Sequence, residues 1–182
     1  MASRRPVRLH RTETIVNLNH LPELEDMAIE EGDTVTIEYS GWIKDGTLFD
    51  TSRRAVADEY GLSDLEPDRT YSPLTVTVGN GDVVSGLERA LIGMDIGQTR
   101  MVSVRPEDAY GSTDLEKIET YDRQDINALF DDVTIEPGIF VQTADGNSGK
   151  IVAVSKDSVR IDFNHPLKGK TLVFDIEIVD IE

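Results

Sequence analysis

The chain has no cysteine and only three histidines, which lie far apart at His10, His20 and His165. Without cysteine, disulfides, thiolate metal sites and a cysteine nucleophile are excluded. A transition-metal site usually gathers several histidine or cysteine ligands, so we expect no metal. Ser112 and His165 form no hydrolase triad with a third residue at a suitable spacing. The sequence therefore disfavours enzymes that use a metal or a covalent nucleophile, and no cofactor is expected.

Positive charge is also scarce, because 18 lysines and arginines stand against 35 acidic residues, which gives a net charge of −17. Phosphate binding requires a basic face, so nucleic acid is not an expected partner. A self-repelling acidic surface favours a monomer. No run approaches the ~20 apolar residues that cross a bilayer, and residues 1–26 lack the apolar core of a signal peptide. We expect a cytoplasmic protein without membrane contact and with residues 1–26 as a flexible N-terminal arm.

Alternating apolar and polar residues predict antiparallel strands with one exposed face at 35–39, 74–78 and 172–178. Residues 83–91 instead place apolar side chains at helical spacing. Gly93 then ends that helix, since glycine tolerates left-handed geometry. These patterns predict an α+β fold in which an antiparallel sheet wraps around a short helix.

Local motifs predict how these elements are joined. Asp45-Gly46 is typical of a type I′ hairpin turn. The glycines of residues 79–82 have the wrong spacing for a dinucleotide site, and Asp82 would repel a pyrophosphate. We expect Asp82 to cap the helix that follows. Residues 55–71 break the strand alternation and are interpreted as a surface insertion.

Residues 112–162 resemble a unit of their own, with a predicted helix at 123–130 and strand-like runs near 139–141, 151–154 and 159–161. A compact insert whose ends lie close together is well tolerated in a surface loop. The expected organisation is an arm at 1–26, a discontinuous domain at 27–111 and 163–182, and a small, mostly-β insert domain at 112–162.

The aromatic residues Tyr39, Phe49, Tyr110 and Phe174 lie on four separate elements, and each belongs to a specific local motif. In order and spacing these motifs resemble the FKBP-type peptidyl-prolyl isomerases over more than half of the chain. The insertion that follows Tyr110 resembles that of the SlyD-type subgroup. The motifs are Tyr39-Ser40-Gly41, Asp45-Gly46-x-x-Phe49-Asp50-Thr51-Ser52, Val83-Val84-x-Gly86, Pro106-x-x-Ala109-Tyr110-Gly111, Asn164-His165-Pro166-Leu167-x-Gly169 and Thr171-Leu172-Val173-Phe174-Asp175.

The resemblance implies a pocket that catalyses rotation about Xaa-Pro bonds. It implies that Asp50 hydrogen-bonds Tyr39, and that the Val84 N–H and the Tyr110 hydroxyl are donors to the substrate. Leu74 and Leu87 depart from the aromatic residues of many members. The implied catalytic residues are Tyr39, Phe49, Asp50, Val84, Tyr110 and Phe174, and the implied substrate-binding residues in the pocket are Leu74, Val83 and Leu87.

The resemblance also implies that the insert binds unfolded chains. Its apolar residues exceed what a unit of about fifty residues buries easily, so Ile126, Leu129, Phe130 and Val141 are candidates for substrate binding. The expected partners are unfolded or partly folded polypeptides that contain Xaa-Pro bonds. Two alternatives remain open, namely a holdase chaperone with a vestigial pocket and a protein-interaction adaptor.

Overall fold

Two antiparallel sheets form the framework of residues 28–129, 134–144 and 146–182, which are the residues described in this computed structural model. The predicted α+β class is confirmed, since a few short helices accompany the sheets. The predicted arm at 1–26 and the predicted binding residue Phe130 lie outside the described residues.

The strands of the described ranges alternate with short helices along the chain. None of these helices has the length and apolar character needed to cross a membrane. Single-turn 3₁₀ helices lie at Pro106–Asp108 and Leu115–Lys117. The strands are β1 (Thr34–Ile43), β2 (Leu48–Thr51), β3 (Leu74–Thr77), β4 (Thr99–Val104), β5 (Ile118–Asp122), β6 (Phe140–Gln142), β7 (Ser148–Val154), β8 (Ser158–Asp162) and β9 (Leu172–Ile181), and the helices are α1 (Arg54–Glu59), α2 (Leu62–Leu65), α3 (Ser85–Leu91) and α4 (Arg123–Leu129).

The first sheet has the strand order β2-β1-β9-β4, and β3 pairs with the first four residues of β1. The long strands β1 and β9 run antiparallel from the pair Val35–Ile181 to the pair Ile43–Leu172. Helix α3 packs on this sheet and buries Leu91 completely. The alternation of apolar residues therefore identified both central strands, and the helical spacing at 83–91 identified the helix that covers them.

The hairpin between β1 and β2 differs from the predicted type I′ turn. Gly46 has a φ of 96°, whereas no residue other than glycine has a positive φ within the described part of the chain. A type I′ turn requires positive φ at both central residues, so Asp45 does not fit it. The Gly46 N–H donates to the Ile43 carbonyl (2.8 Å), and the Ile43 N–H donates to that of Thr47 (2.8 Å). The loop is thus one residue longer and needs left-handed geometry only at Gly46.

The prediction that Asp82 caps α3 is wrong. The helix begins at Ser85, and its N-cap residue Val84 makes no side-chain capping bond. The Asp82 carboxylate lies too early in the chain and accepts instead from the Thr77 N–H (2.9 Å). Gly93 has a φ of 74° at the other end of the helix, as predicted.

The second sheet has the strand order β5-β8-β7-β6 and a small core of its own. Helix α4 contributes Ile126 to that core, and the central strand β7 contributes the fully buried Ile151. The segments that leave and re-enter the first sheet run side by side, because the Gly169 N–H donates to the Gly111 carbonyl (2.8 Å). The independence of 112–162 as a domain stays a prediction.

Candidate functional site

A pocket of about 220 Å³ lies on the first sheet at the start of α3. Every lining residue except Asp82 was predicted from the sequence to be a site residue. All six predicted catalytic residues meet here, together with the three substrate-binding residues predicted for this region. The lining consists of Tyr39, Phe49, Asp50, Leu74, Asp82, Val83, Val84, Leu87, Tyr110 and Phe174.

Strand register brings the two phenylalanines of the pocket together. Gly41 on β1 pairs with Phe174 on β9 and with Asp50 on β2, whose neighbour is Phe49. The Phe49 and Phe174 rings meet edge to face, with centroids 5.8 Å apart. A Cβ atom on Gly41 would lie 2.7 Å from Phe49 Cζ and 3.1 Å from Phe174 Cε1. The rings therefore occupy space that a side chain at Gly41 would fill.

The Asp50 carboxylate is held between two donors at the pocket wall. The Tyr39 hydroxyl donates to Asp50 Oδ2 (2.7 Å), and Arg69 pairs with Oδ1. Arg69 also binds Glu66 (2.9 Å) and lies over the Tyr71 ring, 5.1 Å from its centroid. This network fixes the orientation of Tyr39 and Asp50 before any substrate arrives.

The same network controls the ionisation of Tyr39. Burial, followed by the hydrogen bond to Asp50 and the negative charge of that carboxylate, raises the pKa of Tyr39 above its ordinary value of 10.0. The hydrogen bond to Glu66 is the main reason that the pKa of Arg69 is raised as well, and the bond to Asp50 adds to it. Tyr39 is therefore a neutral phenol and Arg69 a cation at any physiological pH.

Arg69 is the functional candidate that sequence reasoning missed. It lies in the segment 55–71, which was interpreted only as a surface insertion, but which forms α1, α2 and the loop that carries Arg69 to Asp50. The sequence offered one signal for this role. Arg69 is a basic residue in an acidic segment, and that segment joins β2 and β3, which both contribute residues to the pocket.

The pocket has an apolar floor and a more open rim. Leu87 is 3% exposed and lies at the floor, whereas Leu74 and Tyr110 are 36% and 41% exposed. The Val84 N–H donates no hydrogen bond within the described ranges. It is thus available to a ligand carbonyl in a cavity whose other walls are mostly hydrocarbon.

A second, apolar hollow of about 540 Å³ lies on the second sheet. Ile126, Leu129 and Val141, three of the residues predicted to bind substrate, share its lining with Tyr121 and Phe163. Ile126 is 6% exposed and belongs to the core of this sheet, whereas Leu129 is 74% exposed at the mouth of the hollow.

Comparisons with known proteins agree with this geometry. Residues 25–179 match the family described as FKBP-type peptidyl-prolyl cis-trans isomerase. The short-type peptidyl-prolyl cis-trans isomerase of Methanocaldococcus jannaschii is 37% identical over 156 residues, which cover 85% of this chain and 94% of the relative. A probable FKBP-type 16 kDa isomerase of Pseudomonas fluorescens is 35% identical over 121 residues, or 63% of this chain and 78% of the relative.

The third comparison concerns the subgroup. The FKBP-type peptidyl-prolyl cis-trans isomerase SlyD of Aeromonas hydrophila is 34% identical over 134 residues, which cover 72% of this chain and 61% of the relative. The family match spans most of the chain, and the pocket is built from the residues through which the sequence resembles that family. The chain thus belongs to the FKBP-type peptidyl-prolyl cis-trans isomerases and is a SlyD-like enzyme of that family.

Proposed function

We propose that this isomerase acts on unfolded polypeptides through two sites. The pocket at the start of α3 twists the Xaa-Pro bond, and the hollow of the second sheet, lined by Leu129 and Val141, holds neighbouring apolar segments. The observation that supports this division is that the pocket and this hollow lie on different sheets and share no lining residue.

The reaction needs no reactive side chain. The barrier to rotation comes from the double-bond character of the C–N bond and amounts to ~18–20 kcal/mol. The planar amide is more polar than the twisted one, so water favours the planar form. An apolar pocket removes part of that preference, and donors aimed at the twisted state add to the effect.

Each part of the pocket has a proposed task in this reaction. Phe49, Phe174 and Leu87 enclose the prolyl ring and exclude water. The free Val84 N–H donates to a substrate carbonyl, and the Tyr110 hydroxyl at the rim is a second donor. Asp50 and Tyr39 fix the wall between β1 and β2, so that the pocket does not reorganise as the bond turns.

Desolvation and hydrogen bonding together are large enough to account for the acceleration. An acceleration of about 10³ to 10⁵ requires roughly 4–7 kcal/mol of preferential stabilisation of the twisted state. A charge-free hydrogen bond contributes about 0.5–1.5 kcal/mol net. Desolvation of the amide by the apolar walls therefore supplies the larger share, with the two donors as the smaller one.

The second hollow raises the local concentration of substrate. A chain that is held at Leu129 presents its prolines to the pocket as an intramolecular partner, and linked sites gain avidity in this way without new contacts. Apolar residues exposed around a groove are typical of such binding surfaces. The Leu129 side chain is exposed and lines the hollow, so it fits this role.

The test compares two exposed leucines of the second sheet region. Leu129 lines the hollow and is 74% exposed, whereas Leu115 is 76% exposed and does not line it. We expect Leu129→Gln to slow catalysis of a proline-limited refolding reaction several-fold while turnover of a short Xaa-Pro peptide stays unchanged. Leu115→Gln should change neither rate.

Two results would contradict the proposal. Equal losses on the refolding protein and on the short peptide would show that the hollow does not deliver substrate. A wild-type protein that prevents aggregation of a proline-free client but does not accelerate isomerisation of the short peptide would be a holdase with a vestigial pocket.

A further inference from the structure

A third hollow, also of about 540 Å³, lies where the second sheet faces the segment that returns to β9. One wall comes from β6 and β7, with Phe140 and Lys150, and the other from residues 164–170, with His165 and Lys168. We call it the lysine groove. It shares no lining residue with the prolyl pocket.

Positive charge is concentrated in this groove, in a chain whose net charge is −17. Lys150, Lys168 and Lys170 all line it, and the only carboxylate in the lining is that of Asp162. One oxygen of Asp162 already accepts from the N–H and the amide group of Asn164, at 2.8 and 2.7 Å.

The groove lysines form no close ion pairs within the described ranges, and Lys170 has only a longer-range interaction with the Asp45 carboxylate, which contributes to lowering the pKa of that group after the hydrogen bonds from Thr47. Among the described residues, none of the three forms an ion pair with a carboxylate within 4.0 Å. The arginines behave differently, since many of them are committed to acidic partners. The paired arginines are Arg53, Arg54, Arg69, Arg89 and Arg105.

The groove also presents apolar surface beside these charges. Phe140 is 63% exposed and Val152 is 41% exposed. Phe140 on β6 pairs directly with Lys150 on β7, and the Lys150 ammonium lies 5.5 Å from the centre of the Phe140 ring. An aromatic face next to unpaired ammonium groups suits a ligand that carries both apolar side chains and carboxylates.

One aromatic pair separates the groove from the prolyl pocket. The Tyr110 ring stacks on the His165 ring with centroids 4.4 Å apart and planes 6° apart. Tyr110 lines the pocket and His165 lines the groove. A chain with its proline in the pocket therefore enters the groove as soon as it passes this stack, within a few residues at about 3.3 Å each.

We propose that the lysine groove is a specificity site that selects polypeptide substrates with acidic residues close to the isomerised proline. The inference rests on the proposed isomerisation of unfolded chains and names the class of chain that is favoured. The substrate carboxylates pair with Lys150, Lys168 and Lys170, and a neighbouring apolar side chain packs on Phe140. Net negative charge elsewhere on the protein repels such a segment, so the groove is where it settles.

The experiment uses two proline peptides of equal length, with glutamates on both sides of the Xaa-Pro unit in one and glutamines in the other. The groove variant carries Lys150→Gln, Lys168→Gln and Lys170→Gln. The control variant carries Lys44→Gln, Lys117→Gln and Lys156→Gln, which remove the same charge from lysines outside the groove. None of these lysines lines the prolyl pocket.

We expect the groove variant to lose kcat/KM for the acidic peptide about tenfold at an ionic strength of about 0.1 M, because each exposed charge pair contributes a factor of about 1.5 to 5. Its kcat/KM for the glutamine peptide should not change. The control variant should lose no more than about twofold on the acidic peptide, since charges beyond the ~10 Å Debye length are screened. Added salt should erase the difference between wild type and groove variant.

Equal losses in the two variants would overturn the proposal in favour of a general charge effect, and an unchanged rate in both would show that the groove takes no acidic segment. A wild-type protein that sediments as a dimer while the groove variant sediments as a monomer would overturn it as well, since a second acidic copy would then occupy the groove.

A separate measurement keeps the groove distinct from the isomerase activity. Fluorescence anisotropy reports binding of a labelled acidic peptide that contains no proline, and we expect the groove variant to bind it about tenfold more weakly than wild type does. Failure of wild type to isomerise the glutamine peptide would contradict the proposed function, whereas equal anisotropy in wild type and groove variant would contradict the groove.

Discussion

The pocket on the first sheet and the hollow on the second are built in opposite ways. The pocket side chains are anchored, since Phe174 is 5% exposed and Tyr39 is tied to Asp50 by a 2.7 Å hydrogen bond. The hollow on the second sheet is bordered by Leu129, which is 74% exposed on a short helix. One site has a fixed shape, and the other has a loose apolar border.

This difference matches what each site is proposed to recognise. A single bond in a twisted geometry is distinguished only by groups that are already in place, because reorganisation would consume the stabilisation that they provide. Unfolded segments have no common shape, so a surface that selects them gains from mobile apolar side chains. On this proposal, the two sheets combine a rigid site for the reaction with an adaptable site for capture.

The largest predicted effect tests whether the two sheets are independent, because each has a core of its own. Leu91 in α3 and Ile151 in β7 are both fully buried, each in a different core. Truncation of such residues to alanine costs about 2–5 kcal/mol. We expect Leu91→Ala to destabilise the sheet that holds the pocket and to lower turnover of a short Xaa-Pro peptide. Ile151→Ala should loosen only the second sheet and leave that turnover unchanged.

Hydrogen exchange measures this difference directly. In Ile151→Ala, faster exchange should be confined to β5–β8, and β1 and β9 should keep their protection. Equal loss of protection in β9 would mean that the two sheets unfold together, and the separation of rigid and adaptable sites would then have no basis.

A smaller effect is expected at the pocket wall. Asp50→Ala leaves the Tyr39 hydroxyl and the Arg69 guanidinium without their shared acceptor, and an unsatisfied polar group costs about 1–3 kcal/mol. We expect kcat/KM for a short Xaa-Pro peptide to fall about tenfold or more if that cost is borne in the transition state. Asp68→Ala removes the same charge from an exposed position in the loop that carries Arg69 and should leave the rate unchanged. Equal rates for Asp50→Ala and wild type would show that the pocket wall needs no such anchoring.

The smallest predicted effect is a pH dependence that follows from the raised pKa of Tyr39, one of the anchored side chains of the pocket. The pKa of Tyr39 is raised in the folded protein above its ordinary value of 10.0. A raised pKa means that folding favours the neutral phenol, so this stabilisation is complete below pH 10.0 and is lost as pH rises through the folded-state value. An ultraviolet titration of tyrosinate should show a late step that is missing in Tyr39→Phe. Identical titration curves for the two proteins would contradict the buried, hydrogen-bonded environment of Tyr39.

Much of the pocket was predictable from the sequence because its residues lie in short motifs whose order is fixed. Strand parity placed Tyr39 and Phe174 on the core face, and the motif around Phe49 and Asp50 identified their partners. The structure brings all of them into one cavity. Such residues are predictable because each is specified by its own immediate neighbours.

The parts that escaped prediction depend on contacts between distant segments or on local geometry of a single turn. Arg69 lies 19 positions after Asp50 in the chain, and helices α1 and α2 come between them. Strand β5 has no clear alternation and becomes a strand by pairing with β8. Aspartate is a residue type that often caps helices, but the Asp82 carboxylate accepts a hydrogen bond from the Thr77 N–H instead. In each case the deciding partner lies outside the local sequence pattern.

The lack of a side chain at Gly41 determines how the width of the pocket can be altered. Phe49 Cζ lies 2.7 Å from the place where a methyl group at residue 41 would begin, and that place is on a central strand, flanked by β2 and β9. Any larger residue there must displace two aromatic rings at once. The width of the cavity thus depends on Gly41, a residue that does not line it, so the cavity can be reshaped by a substitution behind the two rings and not only by replacing the rings themselves.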